Sequence, residues 1–358
     1  HLFTGGLILI FSEGTLRQYA APLSETENEK CKHTISAIRD SLKSIGYTDN
    51  NKDISLLESD TLSYSISMRN VNTNAKIHIF IQGSYANNTC VRNESDVDIA
   101  VMREDVSEYS FGATFSTSST DKAKEAEKLK SAVLDALNRS FPHQVKRAKK
   151  SIKVAGNTYR KKSDVVPCVS MKHYHQWHNN DWLSYQEGVV IFSDDGEIIR
   201  NFPKQHIANG RRKNSFTNTY YKKMVRIIKK IRSIMEDSGY ACAKNVSSFG
   251  LESLLWNIPD PVFTRWTGNY GMTFDGIVDY LYKNKLNLPS YLEANGIKAG
   301  QDYYDDFFER NNRLKKTGYY TLSKLKAIYV PKESVDAYKN AHGWNKYSEI
   351  KSYDFDLN

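Results

Sequence analysis

Asp96 and Asp98 stand two residues apart at the head of an apolar run, Asp96-Val97-Asp98-Ile99-Ala100-Val101. In a strand, residues two apart share a face. Both carboxylates therefore project together while Val97 and Ile99 turn toward a core. Two carboxylates held that close repel each other unless a cation sits between them. Hard oxygen donors on a rigid strand suit Mg2+, which proteins hold with one or two carboxylates and the phosphates of a substrate. Upstream, the β-prone run Ile77-His78-Ile79-Phe80-Ile81 leads through Gln82 into Gly83-Ser84. Glycine lets the backbone approach a phosphate, and serine offers a hydroxyl and an N–H beside it. A bare Asp-x-Asp is most often an exposed pair in a hairpin. The Gly-Ser turn ahead of it, with strands on both sides, makes the combination specific for cation-assisted phosphate chemistry.

These groups need a sheet with helices against it. Strands are expected at about 76–82 and 97–103. Ser24 to Ile45 reads as a helix, opened by a capping box of Ser24 and Glu27 and ended by Gly46, with Ile35, Ile38, Leu42 and Ile45 at helical spacing. The stretch from Tyr47 to Asn74 is polar and gives no clear element, and Ser107 to Thr120 reads as a loop. Asp121 to Phe141 is a second helix, and the basic run Lys146–Lys150 reads as a solvated edge before a strand near 150–156. Asp164 heads another apolar strand, Val165-Val166-Pro167-Cys168-Val169. Val189–Phe192 and Ile198–Phe202 form a hairpin around Ser193-Asp194-Asp195-Gly196. Thr217 to Glu236 is the longest helical pattern, with Tyr221, Met224, Val225, Ile228, Ile231 and Met235 inside and Lys222, Lys223, Arg226, Lys229, Lys230 and Arg232 carrying charge. Further helices are expected at 251–257, 273–284, near 303–315 and near 321–328, with a short helix or a loose tail past Pro331.

The 358 residues suffice for two lobes sharing a cleft, and 40% hydrophobic with 25% charged residues describes a globular chain. A formal net charge of +9 favours polyanionic partners, with nucleoside triphosphates preferred over long nucleic acid, which is not required. Cys31, Cys90, Cys168 and Cys242 are scattered without a zinc-ligand spacing and fit a reducing cytoplasm. The apolar stretch Leu2–Phe11 is too short to span a bilayer and lacks signal-peptide flanks, so no membrane partner is expected.

Gly-Ser, a short connector and Asp-x-Asp together resemble the signature of polymerase-β-like nucleotidyltransferases. The longer string Gln82-Gly-Ser-Tyr-x-Asn-x-Thr-x-x-Arg-x-x-Ser-Asp-Val-Asp98 is similar to that of the CD-NTases, the cGAS/DncV-like nucleotidyltransferases of bacterial anti-phage CBASS defence. The similarity runs from about Ser12 to about Asp260 and is nearest to clade E. It implies an α+β fold: a mixed-sheet nucleotidyltransferase lobe and a helical lobe joined by a long spine helix, with the active site in the cleft between them. The expected division is 12–215 for the catalytic lobe, with helix 24–45 packing on both lobes, 216–330 for the helical lobe and 331–358 for an extension.

Residue by residue, the resemblance makes Asp164 the third metal carboxylate, with Asp96, Asp98 and Asp164 holding two Mg2+ ions that Mn2+ can replace. It sets Gln82, Gly83 and Ser84 at the substrate and gives Lys229 and Ser248 to the triphosphate, with Lys222 and Arg226 as weaker choices. Asn201, in Asn201-Phe202-Pro203-Lys204, matches an Asn that reads a uracil edge. The implied activity is synthesis of a cyclic dinucleotide from ATP, UTP or other nucleoside triphosphates, uracil-containing as in cyclic UMP–AMP. A monomer is expected, as is a downstream effector that recognises the product without contacting this chain. Two rivals stay open at the level of sequence. One is an acceptor-dependent, template-independent nucleotidyltransferase acting on RNA or protein; the other is a non-catalytic nucleic-acid sensor built on the basic runs.

Overall fold

In the computed structural model, the described residues are 11–298, apart from 59–60, 93–94, 112–113, 116–118, 179–180 and 245, together with 328–331 and 350–353. The chain divides into two compact units, one of them Phe11–Tyr304 and the other containing residues 328–331 and 350–353.

In the larger unit, α1 (Glu13–Ala20) and α2 (Glu25–Lys43) come first. The capping box of Ser24 and Glu27 is formed, and Cys31, Ile35, Ile38 and Leu42 lie buried along one side of α2. Short strands β1 (Tyr47–Thr48) and β2 (Ser55–Leu56) precede β3 (Tyr64–Asn70), β4 (Lys76–Gln82) and the one-turn helix α3 (Gly83–Ala86). Next come β5 (Val97–Phe111), β6 (Thr114–Phe115), α4 (Ser119–Ser140), β7 (Val145–Arg147) and β8 (Ile152–Val154). The long strands β9 (Ser163–His178) and β10 (Asp181–Phe192) are followed by β11 (Ile198–Asn201).

These strands make one mixed sheet in the order β1-β3-β4-β5-β9-β10-β11, with β2 on β3, β6 on β5 and the β7–β8 hairpin on β9. Only β5 and β9 pair in parallel among these strands. The period-two alternation of strands divides the core. Ile77, Ile79, Ile81, Val97, Ile99, Val101 and Val165 face α2 and α4, whereas Phe80, Ala100, Met102, Val166 and Cys168 form a separate cluster on the opposite face.

Two expectations change here. Residues 64–70 form a strand with Tyr64, Ile66 and Met68 buried on alternate positions, a pattern the polar Ser and Asn neighbours obscured. The expected loop 107–120 is strand through Phe111, because Ser107–Phe111 continues the ladder with β9 after a register shift. The basic run is the solvated edge expected: Lys146, Lys149 and Lys150 are exposed, and surface ion pairs join Arg147 to Glu127 and Asp194, Lys149 to Asp195 and Lys150 to Glu197.

The helical part comprises α5 (Pro203–Phe216), α6 (Tyr220–Asp237), α7 (Ala241–Lys244), α8 (Ser248–Trp256), α9 (Asp260–Thr264) and α10 (Tyr270–Lys283). Pro203 starts α5, as its fixed φ and missing N–H suit a first helical turn. Between α5 and α6 the chain turns through Asn218 and Thr219 at φ of 50° and 67°. α1 joins this part of the core, where Leu16 and Ala20 pack with Tyr221, Met224, Phe263 and Ile277. The charged side of α6 is not wholly solvated: Lys222, Arg226 and Lys229 are buried. Arg226 Nε donates to Ala20 O at 2.7 Å, a cation at the carbonyl end of α1.

In the smaller unit, β12 (Ile328–Pro331) pairs in parallel with β13 (Ile350–Tyr353), where the sequence suggested helix or loose tail. β-Branched and aromatic residues in both segments favour the extended form. The helix expected near 303–315 and most of that near 321–328 lie outside the described residues, as do residues 1–10. Among the described residues, no helix is long and apolar enough to cross a membrane.

Candidate active site

The sheet register builds the carboxylate site. Gln82 is opposite Asp98 across the antiparallel β4–β5 ladder, and Asp98 is opposite Asp164 across the parallel β5–β9 ladder. Asp98 alternates with Ala100 and Met102, and Asp164 with Val166 and Cys168. Both therefore belong to the sheet face away from α2 and α4. Asp96 precedes β5 by one residue and shares their parity.

Gly83 lies against this pair. Its φ is +67°, and a Cβ there would stand 2.6 Å from Asp98 Oδ2. Only a residue without a side chain lets the turn approach the carboxylate so closely. After it, Thr89 N donates to Ser84 O at 2.8 Å, folding the connector back, and Tyr85 Oη donates to Ser95 O at 3.0 Å.

The electrostatics are those of a cluster short of positive charge. Burial, then Asp164 and Asp96, push the Asp98 carboxyl up to about 7, with Lys229 acting in the opposite sense. Burial also raises Asp164, whose Oδ1 is enclosed without a hydrogen-bond partner. Asp96 is partly exposed and pairs with Lys162 Nζ at 2.7 Å. Among the described residues, no three His, Cys, Asp or Glu close up as a metal cage. The donor set nonetheless fits a hard divalent cation. Three carboxylates on or just before adjacent strands, one with an orphaned buried oxygen and one driven toward its neutral form by burial and then by its neighbours, are what such an ion would relieve.

A buried network reaches the site from the helices. Lys229 Nζ lies 2.8 Å from Glu252 Oε2 and donates to Thr89 Oγ1 at 3.3 Å. Thr89 Oγ1 donates to Glu252 Oε2 at 2.7 Å, and His206 Nε2 is 3.0 Å from Glu252 Oε1. Helices α5, α6 and α8 are thereby tied to the connector that follows Gly83-Ser84. Ser248 is exposed at the first turn of α8, one turn before Glu252, and the cap is Ser247, whose Oγ accepts from Gly250 N at 2.9 Å.

The structure thus brings Gln82, Gly83, Ser84, Asp96, Asp98 and Asp164 together, with Lys229 beside them and Ser248 on the helix that anchors Lys229. It does not bring Asn201 there. Asn201 pairs with Val189, which pairs with Ser170, six residues along β9 from Asp164. At about 3.3 Å per residue this is roughly 20 Å along the sheet. Sequence reasoning missed Lys162, Thr89, His206 and Glu252. Glu252 had a signal, a lone acid within the apolar Phe249-Gly250-Leu251…Leu254-Leu255-Trp256.

Comparison with known proteins agrees with this geometry. Residues 208–316 match the model of the cGAS/DncV-like nucleotidyltransferase C-terminal helical domain. The chain is 42% identical over 296 residues to the cyclic GMP-AMP synthase CdnE03 of Staphylococcus schleiferi, covering 81% of this chain and 90% of that protein. It is 32% identical to the cyclic dipyrimidine nucleotide synthase CdnE of Legionella pneumophila, covering 80% and 89%. The solved structure of Elizabethkingia meningoseptica CdnE cyclic dinucleotide synthase with GTP and Apcpp superposes with a TM-score of 0.61 at 30% identity, covering 85% of this chain and 99% of that one. A Gly-Ser turn against paired strand carboxylates, a helical domain that matches the family model and identity sustained over most of both chains lead to one assignment: the chain belongs to the cGAS/DncV-like nucleotidyltransferases, the CD-NTases, beside their CdnE members.

Proposed function

We propose that the protein joins two nucleoside triphosphates into a cyclic dinucleotide. A ribose oxygen forms a bond to the α-phosphorus of the partner nucleotide, the α–β bond breaks, and pyrophosphate leaves. A second round in the linear intermediate closes the ring. The observation that carries this reading is the register of Asp98 against Asp164 with Gly83 touching Asp98. Asp96, Asp98 and Asp164 would hold two Mg2+, or Mn2+ in their place. Bound there, the metal supplies charge neutralisation at the phosphates and a lowered pKa for the attacking hydroxyl. Ser84 offers its hydroxyl to the phosphates, Ser248 offers another from the head of α8, and Lys229 supplies positive potential beside Asp98. Gln82 closes the edge of the site opposite Asp98. The chain acts as a monomer, and a separate effector reads the product.

For the bases, an Asn amide at position 201 suits uracil, since it offers both a donor and an acceptor. A second reading, a purine ring, is favoured by the staphylococcal relative named a cyclic GMP-AMP synthase. Incubation of the protein with the four nucleoside triphosphates, singly and in pairs, followed by phosphatase treatment and mass spectrometry, tests both. A resistant uracil-containing ring that Asn201→Ala replaces with another base supports the first. A purine-only ring removes Asn201 from base reading. Product formed only when an RNA or protein acceptor is supplied would overturn the cyclase reading.

A further inference from the structure

A depression of about 380 Å³ lies beside Asp96, bordered by Lys30 of α2 and the loop before β9. Lys30, Asp96, Asn157, Arg160, Lys161 and Lys162 line it. It is open to solvent, with Gly156, Asn157 and Lys162 exposed and Arg160 buried at its base. The loop that forms it is built rather than loose. Asn157 N donates to Arg160 O at 2.9 Å, and a Cβ on Gly156 would stand 2.6 Å from Lys162 N. Asn157 Oδ1 accepts from Tyr159 N and Arg160 N, both at 2.9 Å, and its amide N–H groups have no partner among the described residues.

The charge of this depression is only partly balanced. Arg160 is 6% exposed. Its guanidinium donates to Ala155 O and Gln144 Oε1 and lies over the Phe141 ring, all neutral groups. Lys30 Nζ makes no hydrogen bond or ion pair among the described residues. Lys161 leans on Glu27 at 3.3 Å, and Lys162 on Asp96 at 2.7 Å. Among the described residues, four cations thus face Glu27, Asp96 and, less directly, Asp164, and the last two belong to the active site.

We propose that this depression is a binding site for a small phosphate-type anion, and that its occupant draws Lys162 away from Asp96. Lys162 holds Asp96 in the arrangement described, and its ammonium, 2.7 Å from Asp96 Oδ2, opposes a metal cation at that carboxylate by like-charge repulsion. An anion between Lys30, Asn157 and Lys162 replaces Asp96 as the partner of Lys162 and frees the carboxylate. Anion and metal binding are then positively coupled, each strengthening the other by the same factor. The coupling, though not the anion site itself, rests on the reading of Asp96 as a metal ligand. Its size is that of a partly exposed ion pair, about two- to fivefold in affinity.

The first arm of the test needs no metal and no catalysis. Pyrophosphate is titrated calorimetrically into the full chain in EDTA at low salt. The wild type is expected to bind one equivalent. Lys30→Ala and Asn157→Ala should each weaken that binding several-fold, while Lys52→Ala, on an exposed loop, should leave it unchanged. Binding that survives Lys30→Ala and Asn157→Ala but is lost in Ser84→Ala would overturn the site. The second arm follows Mn2+ binding by electron paramagnetic resonance with and without sulfate, an anion that chelates Mn2+ poorly. Sulfate should tighten Mn2+ binding in the wild type and have no effect in Lys162→Met, which should already bind Mn2+ more tightly. No sulfate effect in the wild type would overturn the coupling. A wild-type chain that passes the first arm yet makes no cyclic product would instead count against the proposed function alone.

Discussion

Replacing Gly83 by alanine separates backbone strain from damage to the site. Gly83 has φ +67°, where an L-residue costs about 1–2 kcal/mol. Gly196, in the β10–β11 turn, has φ +86° and nothing within 4 Å of an added Cβ. The two glycines therefore share the backbone term and differ in what a methyl group meets. At Gly83 the new Cβ would stand 2.6 Å from Asp98 Oδ2, and an ordinary contact begins at 3.4 Å. The carboxylate must retreat by about 0.8 Å, and misplacement of a catalytic group by about 1 Å costs on the order of a hundredfold in rate. Thermal unfolding is expected to show a loss of about 1–2 kcal/mol for Gly196→Ala and a larger one for Gly83→Ala, where displacing the carboxylate adds about 1–3 kcal/mol. Conversion of α-32P-labelled nucleoside triphosphate to phosphatase-resistant product should fall about a hundredfold in Gly83→Ala alone. Equal activity in the two variants would refute the argument that Gly83 is required by contact with Asp98.

The Asp98 carboxyl is raised from 3.8 to about 7 in the folded chain. The folded state therefore keeps a proton that the unfolded state has lost, and metal-free stability is expected to fall as pH rises from 4 to 7. The ceiling is roughly 4 kcal/mol, lowered by the coupling to Asp164 and Asp96. Unfolding scans in EDTA should show the decline, Mg2+ should reverse it at pH 8, and Asp98→Asn should flatten it. Lys229→Met strands the buried Glu252 carboxylate and should cost about 3–5 kcal/mol in urea unfolding, with about 2 kcal/mol recovered by adding Glu252→Gln. Arg226→Met removes the cation from the end of α1 and should cost about 1.5–3 kcal/mol, with earlier proteolytic cleavage near Ala20.

The chemistry-bearing strand pair was legible because its signal is local. Gly83-Ser84, Asp96 and Asp98 lie within one hairpin, and alternation alone sets both aspartates on one face. α2 was equally readable, since Ser24, Glu27 and the Ile35-Ile38-Leu42 stripe are all local features. Asp164 needed the family resemblance, because parallel pairing of β5 with β9 joins residues far apart in sequence and leaves no mark at either one. The same holds for the Lys229–Glu252–Thr89 network, whose members come from two helices and a connector. On α6 the periodicity identified the apolar side, but not which of the charged residues beside it are buried. Lys222, Arg226 and Lys229 are buried because the partners of Arg226 and Lys229 lie on other elements, invisible to a helical wheel. The misjudged segments 64–70 and 107–111 are strands whose serines sit in the sheet, where pairing partners rather than intrinsic preference decide the outcome.

The measurement that bears most directly on the account is product formation by Asp164→Asn. The sheet register is the reason to group Asp164 with Asp96 and Asp98 across two strands. Purified wild-type and variant chains would be given the four nucleoside triphosphates with Mg2+ or Mn2+, with unfolding scans to establish that both are folded. The account expects a phosphatase-resistant cyclic dinucleotide from the wild type and none above background from Asp164→Asn, as from Asp98→Asn. A folded Asp164→Asn chain that makes the cyclic product at the wild-type rate would contradict it.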